Sequence, residues 1–161
     1  MQPYGGFWIR FAAYLIDAIV LAIGGGIVGG ILGAVIGIVM ASGGGATNEI
    51  AAVASLVGNV VGIVLNWLYF GFMESSSWQA SLGKKAVGLV VTDENGRRIS
   101  FGRATGRYFA KIISALILLV GFMMAGWTQR KQGLHDMIAG TLVWKAQSPD
   151  QVPGNDASVF N

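Results

Sequence analysis

Residues 18 to 48 contain no charged side chain, and with Asp17 as the sole interruption the apolar run extends from Phe11 to Met40. About 20 apolar residues suffice to cross the hydrocarbon core of a bilayer. This run is therefore expected to be a transmembrane helix with length to spare, bending at the triple glycine Gly24-Gly25-Gly26. A cleaved signal peptide does not fit, because the run is far longer than a signal core and Asp17 lies inside it. Glu49 and Glu74 bracket a second uncharged stretch, Ile50 to Met73, which closes on Trp67, Tyr69 and Phe70. Aromatic residues of this kind suit the membrane-water interface. The composition agrees, since 53% of the 161 residues are hydrophobic and only 12% charged, more apolar than a soluble domain needs to fill its core.

The third apolar stretch, Ile112 to Trp127, is short for a span unless its flanks are included. The expected fold is an all-α integral membrane protein with segments at about 8–40, 50–73 and 108–128, the last either a third transmembrane helix or a re-entrant hairpin. Residues 75–107 form a basic loop between the second and third segments. Within it, valine-rich Ala86 to Thr92 leads through the turn Asp93-Glu94-Asn95-Gly96 to Arg97-Arg98-Ile99-Ser100, which predicts a short β-hairpin outside the lipid. Ala139 to Lys145 is a further candidate strand that joins this hairpin if the chain returns to that side. Ser100 is placed to cap a helix carrying Arg103, Arg107 and Lys111 as one basic stripe, expected at the lipid headgroups or against Asp136. The membrane domain covers residues 1–146, and the tail from Gln147 to Asn161, with Pro149 and Pro153 among small and polar residues, is expected to be disordered.

Lysine and arginine set the orientation. The loop between the first two segments has neither, whereas Lys84 to Lys111 contains seven. Such loops stay in the cytoplasm, which puts the N-terminus and the basic loop on the cytoplasmic side. Gly25, Gly29, Gly33 and Gly37, with Gly26 and Gly30 beside them, repeat at four-residue spacing, as do Ala54, Gly58 and Gly62. Stripes of small residues let helix backbones approach closely, so the two segments are expected to pack against each other within one chain or across a homo-oligomer.

Charges inside the membrane are the functional candidates. An aspartate near a helix centre costs about 2.5 to 3.5 kcal/mol on insertion scales, so Asp17 should face protein or water. Arg10 lies two turns earlier on the same face, about 10 Å away along the axis, with Tyr14 between them. Asp17 is thus a candidate proton- or cation-responsive carboxylate, or else one half of a fixed structural ion pair. Asn59 and Asn66 form a polar stripe with Ser55 and Gly62 on the second segment, suited first to interhelical hydrogen bonding. His135 and Asp136 are neighbours, but adjacent side chains point apart and a lone histidine makes a poor metal site. With no cysteine, phosphate-cradling loop or nucleophile elbow, neither an enzyme nor a bound metal or cofactor is expected. The basic stripe abuts an apolar span, which favours a bilayer partner over nucleic acid.

These residues together resemble the RDD family of prokaryotic membrane proteins, named for one arginine and two aspartates. Gly6-Phe7-Trp8-Ile9-Arg10-Phe11-Ala12-Ala13-Tyr14-Leu15-Ile16-Asp17 is similar to the family's opening. Ser81-Leu82-Gly83-Lys84-Lys85-Ala86-Val87-Gly88-Leu89-Val90-Val91, followed by Ser100-Phe101-Gly102-Arg103-Ala104, is similar to its central loop. Gly133-Leu134-His135-Asp136 with Ala139-Gly140-Thr141 is similar to its closing motif. The resemblance spans about residues 5 to 145, and implies that Arg10, Asp17 and Asp136 are the signature charges of a multi-pass protein of the prokaryotic cytoplasmic (inner) membrane. It implies less about activity, transport being the common suggestion. Two functions follow as expectations: a small-solute or cation/proton transporter using the Arg/Asp set, working as a homo-oligomer or with a partner membrane subunit, or a non-transporting scaffold that binds protein or anionic lipid through its basic loop.

Overall fold

A computed structural model describes residues 3–116 and 120–154. Helix α1, Phe7–Ser42, is a single α-helix of 36 residues, and α2 runs Thr47–Ser75 over 29. The bend expected at Gly24-Gly25-Gly26 does not interrupt α1. Glycine lowers helix propensity by about 1 kcal/mol, but a helix in lipid has no water to receive its backbone groups and so keeps its own hydrogen bonds. Both helices are long and apolar enough to cross a membrane.

The chain divides into two units, one made of Ala18–Leu68 and the other of the described residues up to Asp17 and from Tyr69 onwards. In the first of these no residue is buried, and Ile19, Ile23, Ile27 and Ile31 form an exposed stripe down α1. An apolar surface this continuous requires lipid or another protein as its solvent. The small-residue stripes are not closed within the chain: a side chain added at Gly25, Gly29, Gly33, Gly37, Gly58 or Gly62 would meet nothing within 4 Å.

The other unit holds a small sheet. Strand β1, Leu89–Asp93, pairs antiparallel with β2, Thr141–Lys145, with Leu89 opposite Lys145 and Asp93 opposite Thr141. The sheet therefore contains the later candidate strand. Arg97-Arg98-Ile99-Ser100, expected to be its second strand, forms none. The turn itself is present, with the Asp93 N–H donating to the Arg97 carbonyl at 2.9 Å and Asp93 Oδ1 accepting from the N–H groups of Asn95 and Arg97. Beyond it the Arg98 side chain donates to the Ser75 carbonyl, Ile99 enters the core, and Ser100 accepts from the Arg103 N–H as the expected cap. The N-terminal segment extends the sheet, Gly5 N–H donating to the Val143 carbonyl and Lys145 N–H to the Pro3 carbonyl. Ala13, Leu89, Val91, Ile99, Ala104 and Val143 form the core beneath it.

Helix α3 (Leu82–Ala86) precedes β1, and between the strands lie α4 (Phe101–Leu116), α5 (Val120–Met123) with a 3-10 turn to Gly126, and α6 (Leu134–Ala139). Helices α4 and α5 are bent by 117° relative to each other. Hydrogen-bonded strands cannot lie on opposite faces of a hydrocarbon core about 30 Å thick. The pairing of β1 with β2 puts the two ends of the chain from Glu94 to Gly140 together, which favours the re-entrant alternative for the third apolar stretch over a broken span. Residues 147–154, expected within a disordered tail, carry a 3-10 turn at Pro149–Gln151 and bury Val152. The rest of that tail, 155–161, lies outside the described residues.

Candidate functional site

Helix α4 turns Ala104, Arg107, Ala110 and Ser114 inward and leaves Phe109, Ile112, Ile113 and Leu116 exposed. A guanidinium on that inner face is cut off from water, and Arg107 is only 1% exposed. It must find anions, and it joins two. Its Nε and Nη2 reach Asp136 Oδ1 at 2.9 and 2.7 Å, while Nη1 reaches Glu74 Oε2 at 2.7 Å. The planar fork of arginine suits this bridge between two carboxylates in a way that a point-charged ammonium does not.

Each carboxylate has further partners. Asp136 Oδ2 pairs with Arg10 Nη1 and accepts from the Gly133 N–H at 3.1 Å, which also closes the first turn of α6. Arg10 is anchored in turn by the Gly5 and Lys131 carbonyls at 2.7 and 2.6 Å. Burial alone would raise the Asp136 carboxyl, yet Arg10 and Arg107 together hold it well below the usual carboxylate range. Glu74 Oε1 pairs with Lys84 Nζ, and Lys111 Nζ lies 3.8 Å away, above the Phe70 ring. Burial pulls Lys84 down to about 7, with Arg107 and Lys111 adding to the effect and Glu74 opposing it. His135 lies at the edge, its Nε2 3.4 Å from Asp136 Oδ1 and its Nδ1 3.4 Å from Ser114 Oγ. Burial lowers it to about 3, which keeps the ring neutral near pH 7.

Four cations thus share two carboxylates in this cluster. Asp17 is held apart. Its Oδ1 accepts from Tyr69 Oη and the Gly83 N–H, both at 2.7 Å, and its Oδ2 from Ser81 Oγ at 2.5 Å. The Tyr69 hydroxyl also accepts from the Leu82 N–H and the Ser81 hydroxyl from the Lys84 N–H, which orients both hydroxyls towards Asp17 as donors. All three groups that face Asp17 donate to it, so the carboxylate acts here as an acceptor for two hydroxyls and a backbone N–H. Gly83 is required here: a Cβ would strike the Ala13 carbonyl oxygen and come within 2.8 Å of the Asp17 carboxyl carbon. Asp17 latches α1 to the turn that begins α3.

The residues expected to form one set therefore separate. Arg10 and Asp136 meet, Arg107 and Lys111 join them, and His135 borders them. Tyr14, expected between Arg10 and Asp17, is 61% exposed. The basic stripe is not uniformly at the headgroups: Arg103 alone is well exposed, 3.6 Å from Asp93. Asn59 and Asn66 belong to the other unit, Asn59 exposed and Asn66 partly so. Sequence reasoning missed Glu74, Lys84, Tyr69 and Ser81 as site residues. Glu74 read as the flank of a span and Lys84 as part of a basic loop, although the Ser81-x-Gly83-Lys84 pattern was visible. Among the described residues no group of three or more His, Cys, Asp or Glu side chains is arranged to hold a metal ion.

The chain is 39% identical over 153 residues to the uncharacterized protein YxaI of Bacillus subtilis (strain 168), covering 89% of this chain and 98% of that one. It is 27% identical over 148 residues to the uncharacterized membrane protein YteJ of the same organism, covering 88% and 81%. No solved structure gives a significant match. The model of the RDD family matches residues 4–140, a range that holds Arg10, Asp17, Asp136 and the whole cluster around Arg107, and the chain belongs to that family.

Proposed function

We propose that this protein is a small transporter of the prokaryotic cytoplasmic membrane, coupling the movement of a small solute or cation to protons through the buried cluster rather than through Asp17. The observation that carries this reading is the gathering of four cations, Lys84 and Arg107 buried and Arg10 and Lys111 partly buried, around the carboxylates of Glu74 and Asp136. Ionisable groups at membrane depth are costly and are kept where ions or protons move. The basic residues of 84–111 support a cytoplasmic position for the cluster and for the N-terminus. Two crossing helices enclose little space, and the open glycine stripes of α1 and α2 support a homo-oligomer, or a partner membrane subunit, as the transporting form.

The donor-only shell of Asp17 favours a second reading for that residue, in which it maintains the fold of a scaffold binding protein or anionic lipid through the basic loop. Flux separates the two. Proteoliposomes holding the purified protein should carry a pH-gradient-driven cation or solute current that changes between about pH 6 and about pH 9, the range around a displaced lysine. Protein that inserts normally but gives no more flux than empty vesicles, with any common monovalent cation, would leave the scaffold.

A further inference from the structure

Helix α4 meets only the last turns of α2. Phe101, the first residue of α4, packs on Phe72 with ring centroids 4.8 Å apart, and a Cβ added at Gly71 would come within 2.7 Å of the Phe101 ring. Further along α4, Arg107 reaches Glu74, the Tyr108 ring meets that of Phe70 at 6.3 Å, and Lys111 Nζ lies 4.2 Å from the centre of the Phe70 ring. From Phe101 to Lys111 is about 15 Å along a helix axis, yet all these contacts fall within Phe70–Glu74, about 6 Å of α2. A helix running beside α2 would advance along it by about as much as along itself. The two helices therefore cross steeply, and α2 is long and apolar enough to stand across the bilayer.

The outer side of α4 is apolar. Ile112, Ile113 and Leu116 are exposed, and lie about 140° to 240° around the helix from buried Arg107 at 3.6 residues per turn. Met137 and Ile138 of α6, the helix whose Asp136 binds Arg107, are exposed as well. Polar exposure lies elsewhere: no large hydrophobic side chain is exposed between Gly83 and Tyr108 or among the described residues after Ile138, where Lys85, Glu94, Arg97, Arg98 and Lys145 reach the surface instead. An apolar face of this kind needs lipid or protein beside it. Continuity argues for lipid, because in the same unit Phe11, Leu15 and Phe72 are exposed on the ends of the two spanning helices. Exposed Arg103 at the head of α4 and exposed Trp127 beyond α5 are side chains suited to headgroup level. We propose that α4 is an interfacial helix lying in the plane of the bilayer, with Ile112, Ile113 and Leu116, and Met137 and Ile138 of α6, seated on the acyl chains of one leaflet. An amphipathic helix so placed sinks its apolar side about 5 to 10 Å into the headgroup–acyl boundary. Arg107, on the opposite side of α4, is turned from the acyl chains towards Glu74 and Asp136, so the helix separates the charge cluster from lipid whether or not a solute is moved.

The test uses the full-length protein, which has no cysteine of its own, in vesicles of phosphatidylethanolamine and phosphatidylglycerol. Spin labels on the single substitutions Gly106→Cys, Ile113→Cys, Leu116→Cys and Ile138→Cys are read by power-saturation EPR, with oxygen probing the acyl region and a nickel chelate probing water. Gly106 is exposed and an added Cβ meets nothing within 4 Å, so a label fits there. Ile112→Cys is the second variant on the same face should Ile113→Cys not fold. Labels at Ile113, Leu116 and Ile138 should be relaxed by oxygen and shielded from the chelate, whereas Gln147→Cys, at an exposed polar position, should be relaxed by the chelate. Gly106→Cys and Leu116→Cys should differ in depth by no more than about 5 Å, whereas a helix standing along the bilayer normal would separate them by about 15 Å. That larger separation would overturn the proposal. So would chelate access at Ile113, Leu116 and Ile138, which places the face in water, or exclusion of both probes, which means that protein such as a second copy covers it.

Discussion

Arg107→Met is expected to destabilise the protein by about 1.5 to 3 kcal/mol, the worth of lost hydrogen bonds to charged groups, and less than stripping a buried ion of its sole partner because both carboxylates keep other donors. Arg107 is the only residue that bonds to both buried carboxylates of the cluster among the described residues, so its loss strips a partner from Glu74 and from Asp136 at once. Glu74 would retain Lys84 and Lys111, and Asp136 would retain Arg10 and the Gly133 N–H. Against a total stability of about 5 to 15 kcal/mol this is a large fraction. The check is thermal unfolding in detergent together with accumulation in the membrane. Arg107→Lys should recover little, because an ammonium cannot bridge two carboxylates with the spread of a guanidinium. Arg103→Ala is the control, since an exposed pair 3.6 Å from Asp93 contributes about 0 to 1 kcal/mol. Equal melting of Arg107→Met and Arg103→Ala would contradict the bridging role.

Asp17→Asn should lower stability by about 2 to 4 kcal/mol, summing charge-assisted hydrogen bonds worth about 1.5 to 3 kcal/mol and the cost of one mispaired buried donor. All three groups facing Asp17 donate, and the asparagine amide would bring a fourth donor against them. Tyr69→Phe removes only one of these donors and should cost less. If Asp17 instead holds an exchangeable proton, Asp17→Asn, which imitates the protonated form, accumulates and melts like the wild type. That result would return Asp17 to the list of proton carriers and remove its role as a latch.

Features governed by local composition were legible in the sequence. Uncharged runs longer than a bilayer mark α1 and α2. Long-range packing was not legible. The Asp93–Gly96 turn exists, but burial of Ile99 and the cap at Ser100 divert the chain from the hairpin that local pattern favours, and β1 pairs with a strand that follows the third apolar stretch. Arg107 reads as a headgroup residue when α4 is viewed alone, because its spacing with Arg103 and Lys111 makes a stripe; only the positions of Glu74 and Asp136 decide that its charge is buried. Asp17 and Arg10 share a helix face at two-turn spacing, but the turn at 81–84 fills the space beside Asp17 and claims it first. Glu74 was hidden by its place at the end of an apolar run, where an acid ordinarily marks the edge of the membrane.

Everything proposed for the cluster requires that Glu74, Lys84, Arg107 and Asp136 gather at one membrane face, with the chain between β1 and β2 entering and leaving by that face. The protein has no cysteine, so single cysteines at exposed Glu94, Gln147 and Asn48 report sidedness with a membrane-impermeant thiol reagent on intact and opened cells. Glu94→Cys and Gln147→Cys should be labelled from the same side, the cytoplasm, and Asn48→Cys from the other. Labelling of Glu94→Cys and Gln147→Cys from opposite sides would mean that the third apolar stretch crosses completely, which would break the β1–β2 pairing and separate Glu74 from Asp136.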